Sequence, residues 1–168
     1  MHKRRFIAIT ALGLALFGLG GCGKKTPPEP GPGLSAQGDV VSLTLGENHM
    51  TRYDFYSYHL REKDGQILFD AHYWAEEDEE YREITLENAA AAREDMEALR
   101  ALCGEYHFAE RQRDYRKPKP GSGPFVADAP TLGLDVIWEN GARLDADTDF
   151  GSEQALRAFF ETLATRLE

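Results

Sequence analysis

Cysteine is scarce in this chain of 168 residues: there are two, Cys22 and Cys103. That count excludes the disulfide framework that staples many small secreted domains. Positive charge is in deficit, with 19 Lys and Arg against 29 Asp and Glu and a formal net charge of −10. Without Lys3, Arg4 and Arg5 the −10 becomes −13. A folded part that acidic repels phosphate backbones, so nucleic acid is not an expected partner. It also repels anionic headgroups, so the folded part itself is not expected to lie on a membrane. The apolar run Phe6–Leu19, FIAITALGLALFGL, falls short of the about 20 residues that cross a bilayer comfortably. Also missing are G-x-S-x-G, H-E-x-x-H, a glycine-rich phosphate loop and C-x-x-C, and with them the common signatures of an enzyme. Catalysis is therefore not expected. Apolar material is ample, at 42% hydrophobic and 11% aromatic residues, enough for one domain with a real core.

The amino terminus has an order of its own. Met1–Arg5 is basic, Phe6–Leu19 is uncharged and apolar, Gly20 and Gly21 are small, and Cys22 follows. Length and flanks suit a secretory signal. Leu19-Gly20-Gly21-Cys22 resembles the lipobox of bacterial lipoproteins: an aliphatic residue, two small ones, then cysteine. The resemblance implies a diacylglyceryl group on the Cys22 thiol, cleavage before Cys22, and a lipid anchor on the extracytoplasmic face of the cell membrane, or of the outer membrane in a Gram-negative host. Two acyl chains hold where one is marginal, each buried CH₂ contributing about 0.8 kcal/mol. Lys24 and Lys25 come next and favour anionic lipid by about 1 kcal/mol each at most. Thr26–Gly38, TPPEPGPGLSAQG, is too rich in Pro and Gly to pack a core and reads as a stalk, about 40 Å long if extended. The expected organisation is a signal peptide over 1–21, a tethered stalk over 22–38 and one globular domain over 39–168.

Within 39–168 the pattern is that of an α+β domain. Val41, Leu43 and Leu45 alternate with polar residues as in a half-buried strand. Thr51–Arg61 and Ile67–Trp74 flank Lys63-Asp64-Gly65 and read as a hairpin. Glu76–Glu80 reads as a solvated acidic loop, and Tyr81–Leu86 as another strand with Ile84 and Leu86 inward. Met96, Leu99, Leu102, Cys103 and Tyr106 share one face of a helix over about Arg93–Tyr106, which Ala89–Ala92 can extend backwards. Arg111–Pro130, with four prolines, reads as a long connection. Thr131–Asp147 is a second hairpin around Asn140-Gly141. A three-residue loop, Glu139-Asn140-Gly141, sets Leu134 opposite Ala146 and Val136 opposite Leu144, burying like with like, whereas a two-residue loop does not. A last helix starts near Ser152 and turns Leu156, Phe159, Phe160, Leu163 and Leu167 to the core. The sum is a two-layer fold, an antiparallel sheet of about six strands with two helices on one face. A loose hairpin–helix repeat runs through it, with ALRALC at Ala98–Cys103 matching ALRAFF at Ala155–Phe160. In this Asp-Gly/Asn-Gly hairpin-and-helix layout the domain looks like small uncharacterised lipoproteins of Gram-positive bacteria, a resemblance that carries no activity with it.

Candidate sites are few. Cys103 lies on the apolar helix face and reads as a buried, inert thiol, though His107 is four residues on. Asp145, Asp147 and Asp149 open a D-x-D-x-D calcium pattern, which then fails at Phe150, where a Gly is needed, and at Leu156, where a Glu is needed. A two-residue turn at Asp64-Gly65 puts His59 opposite Asp70 with His72 diagonal on the same face, a donor set for zinc or iron(II). A three-residue loop would separate them. Tyr53, Phe55, Tyr56, Tyr58, Tyr73 and Trp74 are more aromatics than one small sheet face hides easily, and Tyr53, Phe55 and Trp74 are candidates for a binding patch. The expected function is a lipid-anchored envelope protein that binds a protein or cell-wall glycan and needs no cofactor beyond its acyl lipid. The alternatives are a small metal-dependent module built on His59, Asp70 and His72, or a structural or inhibitory envelope protein.

Overall fold

The computed structural model describes residues 33–48, 55–77, 80–115, 131–147 and 150–168. Its elements are β1 (Val40–Asn48), β2 (Tyr56–Lys63), β3 (Gln66–Glu77), β4 (Glu80–Ala91), α1 (Arg93–Glu105), α2 (Phe108–Asp114), β5 (Thr131–Trp138), β6 (Arg143–Ala146) and α3 (Glu153–Leu167). The strands form one six-stranded sheet in the order β4-β3-β2-β1-β5-β6, antiparallel throughout. The architecture is α+β.

Two turns fix the register. Lys63 pairs with Gln66, so Asp64 and Gly65 alone make the β2–β3 turn. Both have positive φ, 52° and 77°, as a type I′ turn requires. The β5–β6 turn is longer. Trp138 N–H donates to Ala142 C=O at 3.0 Å, Gly141 N–H to Trp138 C=O at 2.8 Å, and Gly141 has φ 79°. Glu139-Asn140-Gly141 is thus the three-residue loop, and Leu134 faces Ala146 while Val136 faces Leu144, as expected.

One face of the sheet is core. Leu43, Leu45, Tyr58, Leu60, Phe69, Leu134, Val136 and Leu144 are all at most 2% exposed. They pack in one cluster with Met96, Leu99 and Cys103 of α1, Phe108 of α2, and Leu156, Phe160, Leu163 and Ala164 of α3. Phe160 lies at the centre, its ring 5.5 Å from that of Tyr58 and 6.0 Å from that of Phe69. The matched segments ALRALC and ALRAFF bury equivalent positions, Leu99 with Leu156 and Cys103 with Phe160.

Four expectations give way. Ala89–Ala91 are strand: they pair with Phe69, Leu68 and Ile67. Alanine's helix preference is below 1 kcal/mol per residue and yields to a ladder that a neighbouring strand offers. The helix starts only after Ala92, whose N–H donates to the Asp95 carboxylate at 2.7 Å. The acidic stretch is more strand than loop, since Glu77 pairs with Glu80. In β1 the buried residue is Val40 rather than Val41, because the pairing with β5 shifts between Val40 and Ser42. A third helix, α2, is short. His107, exposed at φ 56°, kinks the chain after α1, and the kink swings Phe108 into the core at 0% exposure.

The packed chain begins inside the stretch read as stalk. Gln112 of α2 acts as a surrogate strand: its Nε2 donates to Leu34 C=O at 2.8 Å and to Arg143 C=O at 3.3 Å, and its Oε1 accepts from Ala36 N–H at 3.2 Å. Asn140 Nδ2 donates to Ser35 C=O at 2.8 Å. Ala36 packs partly buried against the core.

Truncating the central ring should be severe. Phe160→Ala is expected to lower unfolding stability by about 3–5 kcal/mol, the usual cost of emptying a buried aromatic site, read from urea denaturation of the purified domain. A loss under about 1 kcal/mol would show that the site collapses around the gap.

Candidate functional site

Period-two alternation sends every second side chain of the sheet away from the helices. Ser42 and Thr44 of β1, Ser57, His59 and Arg61 of β2, Leu68, Asp70, His72 and Trp74 of β3, and Asp135 and Ile137 of β5 therefore share the opposite face. Among the described residues no helix covers it. Thr44 stands between His59 and Asp135, and His59 between Thr44 and Asp70, so one polar row crosses four strands.

The centre of that row is a closed hydrogen-bond network. Opposite Asp70, β4 carries one extra residue: Phe69 pairs with Ala89 but Ala71 with Leu86. This is a β-bulge, with Asn88 in the left-handed region at φ 51°. Asp70 Oδ1 accepts from the Asn88 N–H at 2.7 Å. Its Oδ2 accepts from Arg61, and Arg61 donates further to Asn88 Oδ1 at 2.7 Å and to His59 Nδ1 at 3.1 Å. His59 Nε2 meets Ser42 Oγ at 2.9 Å. No buried side-chain nitrogen or oxygen among the described residues lacks a partner. A shallow depression of about 410 Å³ beside the network is lined by Ser57, His72, Thr85, Glu87 and other residues of the cluster.

Ser42, His59 and Asp70 lie in the order of a nucleophile, a base and an orienting acid, with His59 Nδ1 3.5 Å from Asp70 Oδ2. A guanidinium only donates, so its 3.1 Å contact with Nδ1 favours the tautomer that carries the proton on Nε2. In that tautomer Nε2–H donates to Ser42 Oγ and offers no lone pair there, which a general base for Ser42 would need. Burial, then the Arg61 charge, hold the His59 pKa below its usual value, against the pull of Asp70 and Asp135 in the other direction. Burial alone would raise Asp70, but the hydrogen bonds from Arg61 and the Asn88 N–H hold its carboxyl below the usual range.

The proposed metal donors are brought to one face but not to one point. His59 and Asp70 are cross-strand partners, as a two-residue turn requires, but the Arg61 guanidinium lies between them. His72 Nε2 is 2.7 Å from Glu83 Oε1, and its ring takes the edge of Phe55 at 5.0 Å. Asp145 faces Asp135 across β5 and β6, and Arg143 forks onto Asp135 at 2.5 and 3.0 Å. Asp147 accepts from the Tyr115 hydroxyl, and Asp149 lies outside the described residues. Among the described residues no group of three or more His, Cys, Asp or Glu stands close enough to hold a metal ion.

The aromatics divide between faces. Tyr56 and Tyr58 are core, at 3% and 1% exposure. Burial, followed by Glu153 for Tyr56 and by Glu161 for Tyr58, raises both phenols well above their usual range. Tyr73 packs against the core half-buried. Phe55 and Trp74 are half-buried, and Tyr53 lies outside the described residues. The thiol of Cys103, 5% exposed, is pushed up to about 12 by burial, far from a reactive thiolate. No described helix is long and apolar enough to cross a membrane.

Arg61, Asn88 and Ser42 escaped the sequence reading. The one available signal was an Asn in Leu86-Glu87-Asn88-Ala89, a residue type that tolerates a left-handed bulge. Comparison with family models, curated proteins and solved structures finds no match to this chain.

Acid should cost stability. With its folded pKa held low, His59 takes up a proton more readily in the unfolded chain. Its contribution is intact above about pH 6.5 and is lost as pH falls through that value and below the folded pKa. Asp70 adds a second loss only below about pH 4. The thermal midpoint is therefore expected to drop between about pH 7 and pH 5, and His59→Gln to flatten that drop. An equally steep decline in the variant would assign it to other groups.

Proposed function

We propose that the protein is a lipid-anchored cell-envelope protein on the extracytoplasmic side of a membrane, held by acyl chains on Cys22. Its folded part is a non-enzymatic module that binds a protein or a cell-wall glycan. The observation that carries the binding part is the sheet face that no described helix covers. Its centre is rigid, because Arg61, Asp70 and Asn88 lock the bulge. Its flanks carry half-buried apolar side chains, Leu68 beside Arg61 and Ile137 beside Ser42. A preorganised surface of this kind loses little freedom on contact, which favours binding. Two further observations support a non-catalytic reading. The Arg61 guanidinium, which only donates, contacts His59 Nδ1 at 3.1 Å, and the Cys103 thiol is buried. The acyl lipid is the only non-protein group this reading needs, and the acidity of the chain disfavours a nucleic-acid partner.

The anchor has a direct test. Cys22→Ser should move the protein from the membrane fraction to the soluble fraction and abolish incorporation of a labelled fatty acid. A variant that stays membrane-bound and equally processed would overturn the anchor. The face has its own test. Leu68→Glu with Ile137→Glu should weaken retention of the domain on isolated envelope material by about tenfold or more, the scale of losing a central contact, with unchanged circular dichroism. Undiminished retention would place binding elsewhere.

A further inference from the structure

We infer that the corner of the sheet formed by α2 and β6 faces the lipid surface, and that the acidic β3–β4 turn is the end of the domain farthest from it. This rests on the anchoring reading above. Gln112 and Asn140 pin residues 34–36 against α2, the β5–β6 turn and the first residue of β6. The tether therefore leaves the domain at that corner rather than at the start of β1. From Cys22 to Gly33 the chain advances 11 residues, a reach of at most about 36–40 Å.

The acidic turn lies diagonally opposite. Strands β6 and β4 are the two edges of the sheet. The start of β1 lies beside the end of β5, through Val40 and Trp138, and near the end of β2, through Ser42 and Arg61. Lys63 and Gln66 put the start of β3 at the same end, so the Glu77–Glu80 pair stands at the other. Twelve residues of β3 span about 40 Å, and five strand spacings add about 24 Å across the sheet.

Charge acts in the same sense. Residues 76–87 carry seven acidic side chains and one basic one, whereas in α2 Arg111 and Arg113 balance Glu110 and Asp114. With Asp145 and Asp147 also at the near corner, an anionic lipid surface repels both corners, and the far one more strongly. The tether thus keeps the near corner within reach of the surface while charge repels the far one.

The test uses the whole acylated chain in vesicles of phosphatidylglycerol and phosphatidylethanolamine that carry a nitroxide on the headgroup. A fluorophore is attached at Asp114→Cys or at Glu80→Cys; the Cys103 thiol is buried and does not compete. The label at position 114 is expected to be quenched roughly threefold more than the label at position 80, since the two sites lie at opposite edges of the sheet, about 24 Å apart across five strand spacings. The difference is expected to shrink at high salt, which screens the repulsion. Equal quenching, or stronger quenching at position 80, in protein that floats with the vesicles overturns the orientation and leaves the anchor standing. Acylated-host protein that fails to float overturns the anchor and the orientation with it.

Discussion

The left-handed conformation of two consecutive residues, Asp64 and Gly65, sets the parity on which the rest of the sheet depends. A strand has a side-chain period of two, so one more residue in that turn would exchange the faces of β3 relative to β2. With the two-residue turn, Tyr58, Leu60, Phe69 and Ala71 all point to the helices, and His59, Arg61, Asp70 and His72 all point away. The core and the polar cluster are two results of one choice. The second hairpin reaches the same agreement by a different loop length, because Leu134, Val136, Leu144 and Ala146 are spaced to match across three residues rather than two.

The polar cluster then has its own internal logic. Asp70 accepts from a main-chain N–H that the bulge turned out of the ladder. Arg61 neutralises that carboxylate and reaches on to Asn88 and His59. Each group satisfies a need that another created, which is the condition under which a half-buried polar network stiffens a surface rather than weakening it. The imidazole is held from both sides, by Arg61 at Nδ1 and by the Ser42 hydroxyl at Nε2.

What could be read from the sequence was what local pattern decides. The limits of α1 and the inward faces of α1 and α3 follow from helical spacing, and the β5–β6 register from matching apolar residues. What escaped depended on the third dimension. Ala89–Ala91 carry a helix-forming composition, and only the neighbouring β3 makes them a strand. Arg61 is two residues from His59 in sequence, yet its role comes from partners 9 and 27 residues away. Of the six aromatics that suggested an exposed patch, Tyr56 and Tyr58 are core because α3 supplies Phe160 to stack on Tyr58 and Arg157 to cover Tyr56 at 4.7 Å. Composition counts aromatics; it does not count what packs over them.

The side-chain amide of Gln112 also has a mechanical meaning. A pull on the chain ahead of residue 34 would be taken first by the few hydrogen bonds that hold residues 34–36. Once they part, the pull passes through Asp39 to β1, which is bonded along both sides, to β2 and to β5. A weak link in series with a strong one lets the chain lengthen by several residues before the sheet bears load. Such a contact would act as a fuse, yielding to a pull from the amino-terminal side before the fold behind it is strained.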